Sequence, residues 1–197
     1  MIKVHEDHLD FDQDDYLFYY KGEPFTGIYY ETYSNGEVKE EQQYFQGEAS
    51  GNYTIWHSNG EVHFKGGLFR GKPVGLKKEW DEKGNLIGET LLSDRGNKIY
   101  IKNWDEDGIL IYELHCDSKD YYRLSGTHNY YYKSGRLKEK VVIELGLEIL
   151  KQKWNEDGDL VFEERVDENH KNFEYLEELR REYQEWLAIP EAKRRKY

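Results

Sequence analysis

Three consecutive side chains, His115, Cys116 and Asp117, supply the imidazole, thiol and carboxylate that a cysteine nucleophile uses. On a regular strand successive side chains alternate faces, so His115 and Cys116 point apart and the set does not converge. His5 and His8 stand three apart with Glu6 and Asp7 between them, a metal-pair spacing without the further ligands that a site needs. The chain contains neither Cys-x-x-Cys nor His-Glu-x-x-His, and its repeat glycines leave no phosphate-binding loop. These residues predict no catalytic site, no metal and no cofactor.

The acids with the most regular placement are Glu82, Glu106 and Glu156, accompanied by Asp105, Asp107 and Asp157. Their chemistry is recognition: carboxylates on successive loops pair with Arg or Lys of a basic protein and steer it by a summed field. Each is also an ordinary turn residue with a local reason to be there. Equivalent loops two strands apart lie roughly 10 Å from one another, about a Debye length at 0.1 M salt, so their mutual repulsion is tolerable. Tyr29, Tyr30, Tyr53, Tyr130 and Tyr132 are expected either to offer a second surface of the kind that interfaces favour or to pack under the cap helix.

The elements that place these acids follow from a repeat. Trp80-Asp81-Glu82-Lys83-Gly84-Asn85-Leu86 recurs from Trp56 to Val62, from Trp104 to Leu110 and from Trp154 to Leu160, with looser copies at Tyr33–Val38 and Tyr131–Leu137. The turn glycines stand at 36, 60, 84, 108, 135 and 158. A sustained period in this range marks a repeat architecture. Asp81 opens a type I turn and Gly84 closes it with positive φ, the hairpin loop that ends in a bulge. Asp81 then pairs with Asn85, and Trp80 faces Leu86. The same register sets Trp56 against Val62, Trp104 against Leu110, Tyr131 against Leu137 and Trp154 against Leu160. Phe64, Tyr112 and Phe162 are expected on the same face as these rings, two positions beyond the aliphatic residue. A second set of glycines, Gly27, Gly51, Gly75 and Gly126, is read as the return turn between hairpins, with Ile99 and Ile149 in its place in two copies.

After Val166 the spacing of Phe173, Leu176, Leu179, Tyr183, Trp186 and Leu187 predicts an amphipathic helix over 170–188, with Asp167 or Asn169 as N-cap and Pro190 as the stop. Hydrophobic residues make up 37% and aromatics 16%, which favours a thin sheet burying rings over a thick aliphatic core. The expected domains are an acidic N-terminal arm (1–15), the hairpin repeats (16–166), the capping helix (167–190) and a basic tail (191–197).

The net charge of −12 opposes nucleic acid and anionic membranes and favours basic proteins. A single cysteine and an N-terminus without an apolar segment lead us to expect a cytoplasmic protein.

The aromatic-x-x-x-Gly-x-aliphatic unit, with a glycine five residues before the aromatic, resembles the MORN-repeat variant. The residues that carry this are Gly27/Gly36, Gly51/Trp56/Gly60, Gly75/Trp80/Gly84, Trp104/Gly108, Gly126/Tyr131/Gly135 and Trp154/Gly158. That variant recurs in antitoxin and immunity components of bacterial toxin–antitoxin systems. The repeat itself predicts a mainly β fold: an antiparallel meander of about six 24-residue MORN-like hairpins forming a long twisted sheet, capped by the C-terminal helix, a cap in which the chain departs from the family. The resemblance implies a non-enzymatic protein-binding module of the immunity or antitoxin kind, and the charge pattern of the turns leads us to expect that it occludes a basic toxin through Glu82, Asp105, Glu106, Asp107, Glu156 and Asp157. The alternative is a structural or membrane-associated scaffold, and the chain is either a monomer or an edge-paired homodimer.

Overall fold

A computed structural model describes residues 1–117, 125–190 and 193. The fold is mainly β: strands follow the chain in order through a meandering antiparallel sheet, with one α-helix, Phe173–Ala188, near the C-terminus. Two compact units divide the chain, Met1–Lys98 with Glu106–Gly108, and Ile99–Asp105 with Ile109 onward. No helix among the described residues is long and apolar enough to cross a membrane.

In the first unit the strands Gly27–Thr32, Val38–Phe45, Glu48–Trp56, Val62–Phe69, Lys72–Trp80 and Leu86–Leu92 run antiparallel in sequence order. Lys3–His5 pairs parallel with Gly27–Thr32, and a small second sheet holds Asp10–Phe11, Phe18–Tyr20 and Glu23–Pro24. The stretch 1–15 is thereby built into the fold. Val4, Phe25 and Tyr44 form a buried cluster, flanked by Phe18, Tyr20 and Tyr29.

The second unit holds the strand Lys98–Trp104 from Ile99 on, with Leu110–Cys116, Gly126–Tyr131, Leu137–Glu144, Leu147–Trp154 and Leu160–Arg165. Leu114 and Val141 are buried on one sheet face, with His128 paired between them. The helix buries its own Leu176 and Leu179, and its Arg180 makes a bidentate bridge to Glu144, 2.7 Å at both oxygens. The expected caps do not start this helix. Asp167 Oδ1 accepts from the Asn169 amide, which closes a local turn and carries the chain on before the helix begins after Asn172. Of the basic tail, residues 191, 192 and 194–197 lie outside the described residues.

The forward turns pair as the residue pattern predicts: Trp80 with Leu86, Trp56 with Val62, Trp104 with Leu110, Tyr131 with Leu137 and Trp154 with Leu160. One step beyond, the register slips by a residue in every one of these hairpins. Ile55 therefore faces Phe64, Asn103 faces Tyr112 and Lys153 faces Phe162. Phe64, Tyr112 and Phe162 thus leave the face of the tryptophans, contrary to the strict alternation expected. The physical reason is the bulge, which inserts one residue and flips the parity of everything after it. Phe64 accordingly stacks on Tyr53, with ring centroids 5.8 Å apart.

The return turns also differ from expectation. They are two-residue turns, Gln46-Gly47, Arg70-Gly71 and Leu145-Gly146, and Lys21-Gly22 makes the same turn in the small sheet. Both residues of each have positive φ, as in Gln46 (49°) and Gly47 (82°). This is the turn whose twist matches antiparallel strands. Gly27, Gly51, Gly75 and Gly126 lie within strands instead. A Cβ on Gly126 would strike the His115 carbonyl, so this glycine serves close strand approach. Before Lys98 the return is a five-residue turn, Ser93–Asn97, in which the Ser93 hydroxyl accepts from the Asn97 amide at 3.0 Å.

Candidate functional site

Each forward turn divides its labour by position. The opening side chain serves the loop: Asp81 Oδ1 accepts from the Lys83 and Asn85 amides, both at 2.9 Å, and Asn85 Nδ2 donates to Asp81 Oδ2 at 3.0 Å. These bonds, the Asn85 side chain foremost, hold the Asp81 carboxyl below its usual range. Asp105 does the same for the Ile109 amide at 3.0 Å and is half-buried. Asn155 caps the Asp159 amide at 2.8 Å. Asp105, expected among the binding acids, is thus engaged by its own loop.

The next positions point outward. Glu82, Glu106, Asp107, Glu156 and Asp157 are all exposed. Among the described residues, no hydrogen bond or ion pair engages the carboxylates of Glu82, Glu106, Glu156 or Asp157. Glu82, Glu106 and Asp107 belong to the first unit; Asp105, Glu156 and Asp157 belong to the second.

Backbone groups behind these acids are laced from one turn to the next. In the first unit Tyr33 donates its hydroxyl to the Trp56 carbonyl at 2.6 Å. His57 Nε2 meets the Trp80 carbonyl at 2.9 Å, and Asn59 Nδ2 donates to the Glu82 carbonyl at 2.8 Å. In the second, Tyr132 donates to the Trp154 carbonyl at 2.8 Å and Arg136 to the Glu156 carbonyl at 2.5 Å. These partners were not apparent from sequence spacing alone. The available signal was that Tyr33, His57 and Tyr132 stand where the other copies carry Asp or Asn, so a long side chain must reach elsewhere.

The five tyrosines of the expected second surface do not form one patch. Tyr29 lies against Tyr44 in the N-terminal core, where burial raises its hydroxyl pKa. Tyr30, on the opposite face, packs edge-on to His5 at 5.0 Å. Tyr53 stacks on Phe64, Tyr130 lies 5.0 Å from Tyr112, and Tyr132 is part of the lacing.

The His115 and Cys116 side chains do project to opposite faces, His115 paired with Thr127 and Cys116 with Gly126. His115 Nε2 approaches Glu113 at 3.4 Å within a polar network that the sequence did not reveal. Tyr131 donates to Glu113 at 2.5 Å and Asn129 at 3.0 Å. Burial pushes the Glu113 carboxyl upward, but the bonds from Tyr131, Asn129 and His115 together outweigh it and hold it below the usual range. Burial and this bond push the Tyr131 hydroxyl up to about 12. No group of three His, Cys, Asp or Glu side chains among the described residues is placed to hold a metal ion. His5 instead contacts Asp7 at 3.2 Å. A concavity of about 580 Å³ lies on the first unit between Tyr53, Lys65 and Leu76, and no carboxylate lines it.

No protein-family model matches the chain, and no curated protein matches it at a significant level. The arrangement can offer cations a set of free carboxylates on loops whose backbones are locked in place.

Proposed function

We propose that this chain is a non-enzymatic protein-binding module that neutralises a basic partner by covering it, as an immunity or antitoxin protein does. The observation that carries the reading is the division of labour in the turns. The opening residue and the lacing bonds fix the loop, while Glu82, Glu106, Glu156 and Asp157 keep carboxylates that the fold does not use. Charges held on fixed backbones lose little entropy on binding, and preorganisation of this kind favours affinity. The net charge of −12 adds a long-range attraction for cationic proteins. The resemblance to MORN-variant antitoxins supports the same class.

The test is co-expression with the product of the adjacent gene. The reading expects growth protection and a stoichiometric complex, both lost on reversing Glu82, Glu106 and Glu156 to Lys. Absence of both protection and a complex for the wild-type chain contradicts it.

A further inference from the structure

Two strand pairs of the first unit share one irregularity. The register slips between Gln42 and Tyr44 against Glu48–Trp56, and again between Lys65 and Gly67 against Lys72–Trp80. The pairs that close the two hairpins, Phe45 with Glu48 and Phe69 with Lys72, stand 24 residues apart. By that offset Gln43 corresponds to Gly67, Gly51 to Gly75 and Asn52 to Leu76. Gly51 and Gly75 both have positive φ, 117° and 71°, which an inserted residue in a strand uses.

In the first slip the protein fills the gap itself. Gln43 Oε1 accepts from the Asn52 amide at 2.8 Å, and it lies where a Cβ on Gly51 would go. In the second slip Gly67 has no side chain to do the same. A Cβ added at Gly67 would meet only Val74, the carbonyl nearest at 3.1 Å. The concavity of about 580 Å³ opens at this place, against Gly67, Gly75 and Leu76.

Three polar side chains beside it are unengaged. Asn52 pairs with Gly67 and Thr54 with Lys65, so these four residues share one face of the sheet. Among the described residues, no hydrogen bond or ion pair engages the Asn52 carboxamide, the Thr54 hydroxyl or the Lys65 ammonium. Lys65 also stands opposite Lys78, which Glu89 bridges at 3.2 Å. Like charges directly opposite destabilise a ladder, and an anion beside Lys65 relieves that. Val74 and Leu76 give the concavity an apolar wall.

We infer that this concavity binds a small aliphatic carboxylate. One carboxylate oxygen accepts from the Leu76 amide, as the Gln43 oxygen does from that of Asn52. Lys65 supplies the opposite charge, Thr54 and Asn52 donate to the same head group, and the hydrocarbon stem lies on Val74 and Leu76. A carboxylate is favoured over a carboxamide because hydrogen bonds between ionised partners are about twice as strong as neutral ones. A ligand of so few atoms binds with a dissociation constant on the order of 1 mM. The inference does not rest on the partner proposed above.

An amide-resolved NMR titration of the full chain with butyrate, butyramide and butylamine tests it. Butyrate is expected to give saturable shifts at Gly67 and Leu76, butyramide to bind about tenfold more weakly, and butylamine to leave these amides unmoved. Lys65 is exposed, so Lys65→Gln is expected to melt as the wild type does and to bind butyrate about tenfold more weakly. Gly67→Gln rebuilds the first slip in the second. It is expected to move the Leu76 resonance toward its butyrate-bound position without ligand, and to abolish butyrate binding. Butyrate shifts that do not saturate, or that are scattered away from Gly67 and Leu76, overturn the inference. So does affinity that survives Gly67→Gln or is unchanged by Lys65→Gln. If Gly67→Gln does not fold, the Lys65→Gln comparison decides alone.

Discussion

Arg70 and Gln46 occupy left-handed backbone, with φ of 50° and 49°, although neither is glycine or asparagine. That conformation costs an ordinary L-residue roughly 1–2 kcal/mol, and asparagine tolerates it better. Arg70→Asn is therefore expected to raise the urea midpoint, a gain of up to about 1 kcal/mol. The lost bridge to Glu48 subtracts little, because Arg70 is 70% exposed there. Leu145 has the same backbone (φ 52°) but is 5% exposed, so Leu145→Gly trades strain for lost burial and is expected to destabilise. Lacing hydroxyls make the second prediction at this scale. Tyr33→Phe and Tyr132→Phe each delete one bond to a Trp carbonyl and are expected to cost about 1 kcal/mol in denaturant melts. No change in either variant contradicts the structural role assigned to these side chains.

At the scale of elements, the hairpin register is legible in the sequence because Asp81 and Gly84 specify the turn from both ends, and the Trp80–Leu86 pair follows by counting. The slip just beyond it is not legible. The residues at the slip include Ile87, His63 and Lys138, which share no chemistry that announces a bulge. The two-residue returns were obscured for a related reason, since Gln46, Arg70 and Leu145 replace the Asn that ordinarily marks such a turn. The turn acids were legible as positions; that Asp105 serves its loop while Glu106 does not depends on side-chain geometry. The helix face was readable from its period, but its anchor, Arg180 on Glu144, joins residues 36 apart. In the second unit, burial lowers the pKa of His128, with Glu148 opposing. His128 is thus held neutral in the fold while the unfolded chain binds the proton more readily. Its contribution is complete above its unfolded pKa of about 6.5 and is lost as pH falls below that value. Melting temperature is expected to drop between neutral pH and about 5.5, and His128→Gln to flatten that part of the profile. An equally steep drop in the variant refutes the assignment.

On the scale of the whole molecule, the net charge of −12 sets a long-range field. A field from 40 acids against 28 bases attracts cationic proteins from a distance and fades with salt. Association with a basic partner is expected to slow steeply with ionic strength, while dissociation changes little. Stopped-flow traces at two salt concentrations check this, and salt-independent association contradicts it. The most direct test of the division of labour in the turns is a calorimetric titration of the purified partner against two charge variants. Glu82→Lys with Glu156→Lys changes acids that the fold leaves free; Asp81→Asn with Asp105→Asn changes acids that the loops employ. The account predicts that the first pair folds normally and binds at least about a hundredfold more weakly, whereas the second melts earlier and, while folded, keeps its affinity within about threefold. Undiminished binding by the Glu82/Glu156 variant contradicts it.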